Sequence, residues 1–162
     1  MSIRRLLCLC VLVLVAAVSQ ASAAEFVPLR GYWVGSTISA TLVSPNVVLV
    51  VSSGSGNANQ LGQFEITSPH LTYLDTFAVE GEHLFTAANG DTVVAQFSGQ
   101  FVPNADGSLE ATFECAITAG TGRFAGATGS YDFHIIAVPN GTTGFDSVAT
   151  IDGEISAVGS SR

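Results

Sequence analysis

Leu109-Glu110-Ala111-Thr112-Phe113-Glu114-Cys115-Ala116-Ile117-Thr118 decides the fold class. Leu109, Ala111, Phe113, Cys115 and Ile117 fall on one side of an extended chain, and Glu110, Thr112, Glu114 and Thr118 on the other. Successive side chains of a strand point to opposite faces, so this pattern describes a strand with one buried and one wet face. The same alternation recurs on both sides. Val93, Ala95, Phe97 and Phe101 oppose Val94, Gln96, Ser98 and Gln100, while Tyr131, Phe133, Ile135 and Ala137 oppose Ser130, Asp132 and His134.

Working outward, no segment past the amino terminus has helical periodicity. Candidate strands are Gly31–Val43, Val47–Ser53, Leu61–Thr67, Leu71–Leu74, Phe77–Ala87, Thr92–Val102, Leu109–Ala119, Ser130–Val138 and Phe145–Ile155. Turn clusters separate them: Ser53-Gly54-Ser55-Gly56-Asn57, Asn89-Gly90-Asp91, Pro103-Asn104-Ala105-Asp106-Gly107 and Pro139-Asn140-Gly141. Long strands joined by short hairpins predict an all-β domain. The expected form is an eight-stranded antiparallel up-and-down barrel of calycin-like type, because closure removes exposed edges. A two-sheet β-sandwich is the rival architecture.

The amino terminus reads differently. Arg4 and Arg5 precede an apolar run, Leu6–Val18, which ends in Ala21-Ser22-Ala23-Ala24. That is the layout of a secretory signal peptide over residues 1–23, and the run falls short of the ~20 residues of a comfortable membrane span. The expected domain then covers residues 24–158, with a frayed end at 159–162. The destination is secreted or periplasmic, with no stable membrane span after cleavage.

Without the leader, three arginines (Arg30, Arg123 and Arg162) stand against 13 carboxylates and no lysine, a net charge of −10. A surface this acidic repels nucleic acid and anionic lipid. A lone cysteine, Cys115, remains, so no intramolecular disulfide is available; it reads as a small buried hydrophobe. Association of copies into a homo-oligomer is left open by the sequence.

Metal and nucleophile chemistry find little support. His70, His83 and His134 show no ligand-like spacing, and in an extended chain Glu80 and Glu82 point away from His83. No metal and no cofactor is assigned. His83 beside Cys115 lacks a third, orienting group for a nucleophilic triad. Projecting hairpins through the turns lines up Glu82, Gln96, Glu114 and His134 as a polar row on the wet face. On the apolar face His83, Phe97, Phe113, Cys115, Tyr131 and Phe133 form a candidate lumen, with His83 and Tyr131 as polar anchors for an apolar guest. Tyr32 and Trp33 are expected to plug one end. If the barrel is instead a solid interaction module, Ser52–Gln60 reads as a display loop.

Gly120-Thr121-Gly122-Arg123-Phe124-Ala125-Gly126-Ala127-Thr128-Gly129 is not a phosphate loop, since a strand rather than a helix follows it. It resembles the GTG-x-F-x-G-x-x-G segment of the allene oxide cyclase and dirigent-like barrels. Gly56-Asn57-Ala58-Asn59-Gln60-Leu61-Gly62-Gln63-Phe64 and Ala87-Ala88-Asn89-Gly90-Asp91 are similar to motifs of their exported bacterial relatives. The resemblance implies an eight-stranded barrel whose lumen holds a small apolar ligand, and a cofactor-free cyclase or isomerase as a variant. The alternative is a non-catalytic structural module that meets another protein or a glycan at the cell envelope.

Overall fold

In a computed structural model, which describes residues 25–142 and 144–157, the chain forms nine antiparallel strands and one short 3₁₀ turn. They are β1 Phe26–Ser44, β2 Val47–Ala58, β3 Gly62–Tyr73, β4 Ala78–Ala87, β5 Thr92–Gln100, β6 Val102–Pro103, β7 Leu109–Gly120, β8 Gly129–Pro139 and β9 Phe145–Ser156. Neighbours in sequence are neighbours in space. β6 is a two-residue continuation of β5 along β7, and β9 returns to pair with β1, from Phe26↔Ser156 to Ser36↔Asp146. The result is a closed eight-stranded antiparallel barrel, as the alternation predicts, and the sandwich is ruled out by the continuous pairing around the ring. The leader at 1–23 and the tail at 159–162 lie outside the described residues.

The inward stripes carry the aromatic residues. Phe97, Phe113, Phe133 and Tyr131 are all nearly fully buried, and so are Cys115 and Ile117. Each such ring contributes roughly 1.5–3 kcal/mol by leaving water. Packing is densest at the end carrying the 59–61, 88–91 and 121–128 connections. There Leu29, Phe85, Val93, Phe124 and Ile155 are 0–1% exposed.

That end is stoppered by the glycine-rich connection. Its 3₁₀ turn, Gly122–Phe124, buries Phe124 in the core. Arg123 stacks over the Phe124 ring at 4.6 Å and donates from a terminal guanidinium nitrogen to the Leu61 carbonyl at 2.7 Å. Asp91 accepts from the Arg123 backbone N–H at 3.1 Å and from Asn89 Nδ2 at 2.7 Å. These bonds, the Arg123 backbone one first, hold its carboxyl below the usual range. Gly122 (φ 55°) leaves the space this carboxylate occupies. Phe124 is therefore the plug expected of Tyr32 and Trp33: Trp33 sits inside the barrel wall at 3% exposure, and Tyr32 faces outward at 57%.

Two sequence expectations are corrected. Ser52–Gln60 is not a display loop: Val47–Ala58 is one strand, paired from Ser44↔Val47 to Gly31↔Ala58 with β1 and from Val47↔Tyr73 to Ala58↔Gly62 with β3. None of Gly31, Gly35, Gly54 and Gly56 has a positive φ. They are glycines because rings and backbone occupy the place of a side chain. A Cβ on Gly56 would stand 2.6 Å from Phe64 Cζ, and one on Gly35 would stand 2.7 Å from Trp33 Cη2. Likewise, Leu61–Thr67 and Leu71–Leu74 belong to the single strand β3. The ladder to β4 skips Ser68 and Pro69, where proline brings no N–H, and the register resumes unchanged at His70↔Gly81.

Candidate functional site: an aromatic-walled lumen

The inward stripes do not fill the barrel to its other end. A cavity of about 350 Å³ occupies the half toward the 45–46, 74–77, 101–108 and 140–144 connections. β1 and β2 supply Trp33, Val50 and Ser52 to its wall, β3 supplies Ile66, Ser68 and His70, and β5, β7 and β8 supply Phe97, Phe113 and Phe133. Leu74, Phe77, Phe101 and Phe145 come from the strand ends and connections at the mouth. A broader depression of about 770 Å³ runs along Glu80, Gln96, Ser98 and Glu114 on the outer wall. It is shallow and faces solvent, whereas the lumen is enclosed and apolar, as ligand sites are.

His83 lies at the floor. Its ring stacks on Phe97 (centroids 4.3 Å apart, 26° between planes) and is tilted against Phe133 at 4.6 Å. Its Nδ1 shares a hydrogen with the Tyr131 hydroxyl at 2.9 Å. Burial drives the His83 pKa down to about 3, with His70 adding to the effect, so the imidazole is neutral at neutral pH. Tyr131 is pushed well above its ordinary value, again mainly by burial. Cys115 is raised to about 12 for the same reason, which leaves a protonated, inert thiol whose Sγ donates to the Phe113 carbonyl at 3.5 Å. Replacing Tyr131 by Phe strands a buried imidazole nitrogen. We expect this variant to lose about 1–3 kcal/mol of unfolding free energy, read as a lower urea midpoint at unchanged slope.

His70 comes in from β3 opposite Gly81, whose missing Cβ makes room for it. Its Nδ1 meets the Ser68 carbonyl at 3.1 Å. Its pKa is lowered, chiefly by burial and against the opposing pull of the Ser68 bond. His70 and His83 are the two titratable groups among the described residues that line the lumen; no Asp, Glu, Lys or Arg does. The wall is uncharged at neutral pH.

One polar atom of this wall is left over. Trp33 Nε1 is buried and has no hydrogen-bond partner among the described residues. A buried unpaired donor costs about 1–3 kcal/mol.

At the mouth, Phe77 holds φ 59°, a left-handed conformation that costs a bulky residue about 1–2 kcal/mol. It is pinned there by its N–H to the Tyr73 carbonyl at 2.7 Å and by the Phe101 N–H to its own carbonyl at 2.9 Å.

Of the residues assigned to the lumen from sequence, His83, Phe97, Phe113 and Phe133 line it. Cys115 and Tyr131 face inward but lie beneath its floor. The sequence reading missed Trp33 and His70 as wall residues. His70 was findable, since Phe64, Ile66, Ser68 and His70 alternate without a break once Pro69 is allowed inside the strand.

The polar row of Glu82, Glu114 and His134 does not assemble. Glu82 does oppose Gln96, and accepts from its amide at 2.7 Å. Glu114, however, sits across from Ser98 and Asp132, and His134 opposite Thr112. His134 Nε2 lies 3.5 Å from Glu110 instead. The connections before and after β7 are centred one residue away from the projected turns. Each shift moves the partner by two positions, which keeps every side chain on its face while sliding the row apart.

The barrel has a counterpart among solved structures. The pterocarpan synthase dirigent protein GePTS1 superposes with a TM-score of 0.54 over 82% of this chain and 89% of that chain, at 15% identity. The likeness establishes a dirigent-like fold. No family model matches the sequence, and no curated protein matches it.

Proposed function

We propose that the chain is an exported barrel that takes up a small apolar molecule in its lumen. The observation that carries this reading is the cavity of about 350 Å³, walled mainly by aromatic and aliphatic side chains and floored by His83. It lies within the range of small-molecule sites. Arg4 and Arg5, the apolar run Leu6–Val18 and the small residues Ala21–Ala24 support export to the periplasm or the medium. A cofactor-free cyclisation or isomerisation in the same space is the finer version. It draws support from the resemblance to allene oxide cyclase and dirigent barrels, with His70 and His83 as the groups available to move a proton.

The test is a titration with N-phenyl-1-naphthylamine, a neutral probe that brightens in apolar surroundings. Saturable uptake is expected, and Ala40→Trp, which narrows the cavity mouth from its β1 side, should weaken it at least tenfold. Native mass spectrometry of protein taken from its exporting cell should show a co-purified small molecule. Absence of saturable uptake up to the solubility limit of the probe would refute the reading.

A further inference from the structure

We infer that the Trp33 indole N–H is the polar anchor of the lumen, and that the ligand it selects is an uncharged, flat, largely apolar molecule carrying a hydrogen-bond acceptor such as a ketone, ester or ether oxygen. This rests on the lumen being a ligand site.

Three observations lead to it. First, Trp33 is 3% exposed and borders the cavity, and its Nε1 has no partner among the described residues. The two imidazoles of the wall are paired: His83 with Tyr131, and His70 with the Ser68 carbonyl. A buried donor with nothing to donate to, on a residue that borders the cavity, is satisfied by an acceptor that arrives from that side. Second, the indole is positioned rather than loosely packed. It lies over Gly35, where a Cβ would collide with its Cζ2 corner, next to the indole nitrogen, and the Trp33 backbone is paired on both sides, with Gly56 on β2 and Ala149 on β9. It also contacts Phe133 at 5.8 Å between centroids. The donor is thus fixed in direction before a guest enters, which lowers the ordering cost of binding.

Third, the wall defines the rest of the guest. No charged side chain lines the cavity among the described residues, so a carboxylate or ammonium would enter without a counter-ion and lose its hydration. Rings of Phe97, Phe113 and Phe133 favour a flat apolar body that can stack on them or meet them edge-on. A rigid donor with no partner of its own, on a wall whose other polar side chains are the neutral His70 and His83 and a few hydroxyls, fixes orientation more than it adds affinity, and makes Trp33 a specificity-determining residue.

The experiment compares three naphthalenes of nearly equal size as competitors of N-phenyl-1-naphthylamine: 2-acetylnaphthalene, 2-isopropylnaphthalene and 2-naphthoate. The ketone should bind about tenfold more tightly than the hydrocarbon, the increment of one hydrogen bond, and the carboxylate should bind weakest. In Trp33→Phe, which keeps an aromatic ring and removes the donor, the ketone and the hydrocarbon should become equal. The chain has one tryptophan, so the wild-type protein gives a second readout that needs no variant. The indole N–H proton resonance should move downfield on adding the ketone and should not do so on adding the hydrocarbon. Equal binding of ketone and hydrocarbon to the wild type overturns the anchor while leaving the lumen site standing. So does a ketone preference that survives Trp33→Phe, or an indole resonance that responds alike to both. If none of the three displaces the probe and the probe itself does not bind, the lumen reading falls and the anchor with it.

Discussion

Gly54→Ala should unfold about 10 °C below the wild type, the equivalent of about 3 kcal/mol at this chain length. Gly54 stands directly opposite Gly35 in the β1–β2 ladder. A Cβ at Gly54 would overlap the Val34 carbonyl oxygen and the Gly35 Cα. The obstructing atoms are backbone, so no rotamer change relieves them; the two strands must part, and the hydrogen bonds on both sides of the pair must stretch. Ser55→Ala, one residue on, is the control. Ser55 is exposed on the outer face, and its truncation should shift stability by no more than about 0.5 kcal/mol. Were Ser53–Asn57 a mobile turn, the two variants would behave alike. Calorimetric melts giving equal midpoints for Gly54→Ala and Ser55→Ala would contradict the packing role assigned to the glycine stripe.

The same stripe shows where sequence reading stops. Alternation through Val93–Phe101, Leu109–Ile117 and Tyr131–Ala137 made the barrel legible, because each apolar residue there reports its own face by its own chemistry. Glycine carries no such mark. Ser53-Gly54-Ser55-Gly56-Asn57 has the composition of a turn, and only the β1 backbone beside Gly54 and the Phe64 ring beside Gly56, which come from other strands, explain why side chains are missing there. Proline misled in the same way at Pro69, since nothing local tells a strand break from a skipped rung. Register was half legible. The tight Asn89-Gly90 turn placed Glu82 against Gln96, whereas the longer Phe101–Ser108 and Thr121–Thr128 connections hid their centres and displaced Glu114 and His134 by one pair each. The lumen itself was legible as a face and not as a volume. Whether inward side chains meet in the middle depends on how far the strands tilt around the ring, and that is how Cys115 and Tyr131 come to lie under the floor while Phe97 and Phe113 border the space.

Acidification should destabilise the barrel well above the range where carboxylates titrate, and His83 should account for a defined share of that loss. The sign follows from proton counts. In the unfolded chain His83 has the ordinary histidine pKa near 6.5, whereas in the fold burial lowers it to about 3. Between these values the unfolded state holds a proton that the folded state lacks. Stability therefore falls as pH drops from 6.5 toward 3, and above 6.5 the group contributes no slope. From pH 7 to pH 5 the loss attributable to His83 is about 2 kcal/mol. His70, also lowered, adds to the slope in the same direction. Asp91 and Asp106, whose carboxyls are held low by hydrogen bonds from Arg123 and Ser108, act only when pH falls below the ordinary carboxylate range. Urea unfolding at pH 7 and pH 5 isolates the histidine share when it is run on the wild type and on His83→Gln. Gln keeps a polar atom for Tyr131 and cannot be protonated. The variant starts from a lower stability at pH 7, because it gives up the stacking on Phe97, yet it should lose about 2 kcal/mol less than the wild type on moving to pH 5. Parallel losses in the two proteins would mean that the His83 imidazole takes up its proton inside the fold, and that the floor of the lumen is wetter and more open than the ring packing around it describes.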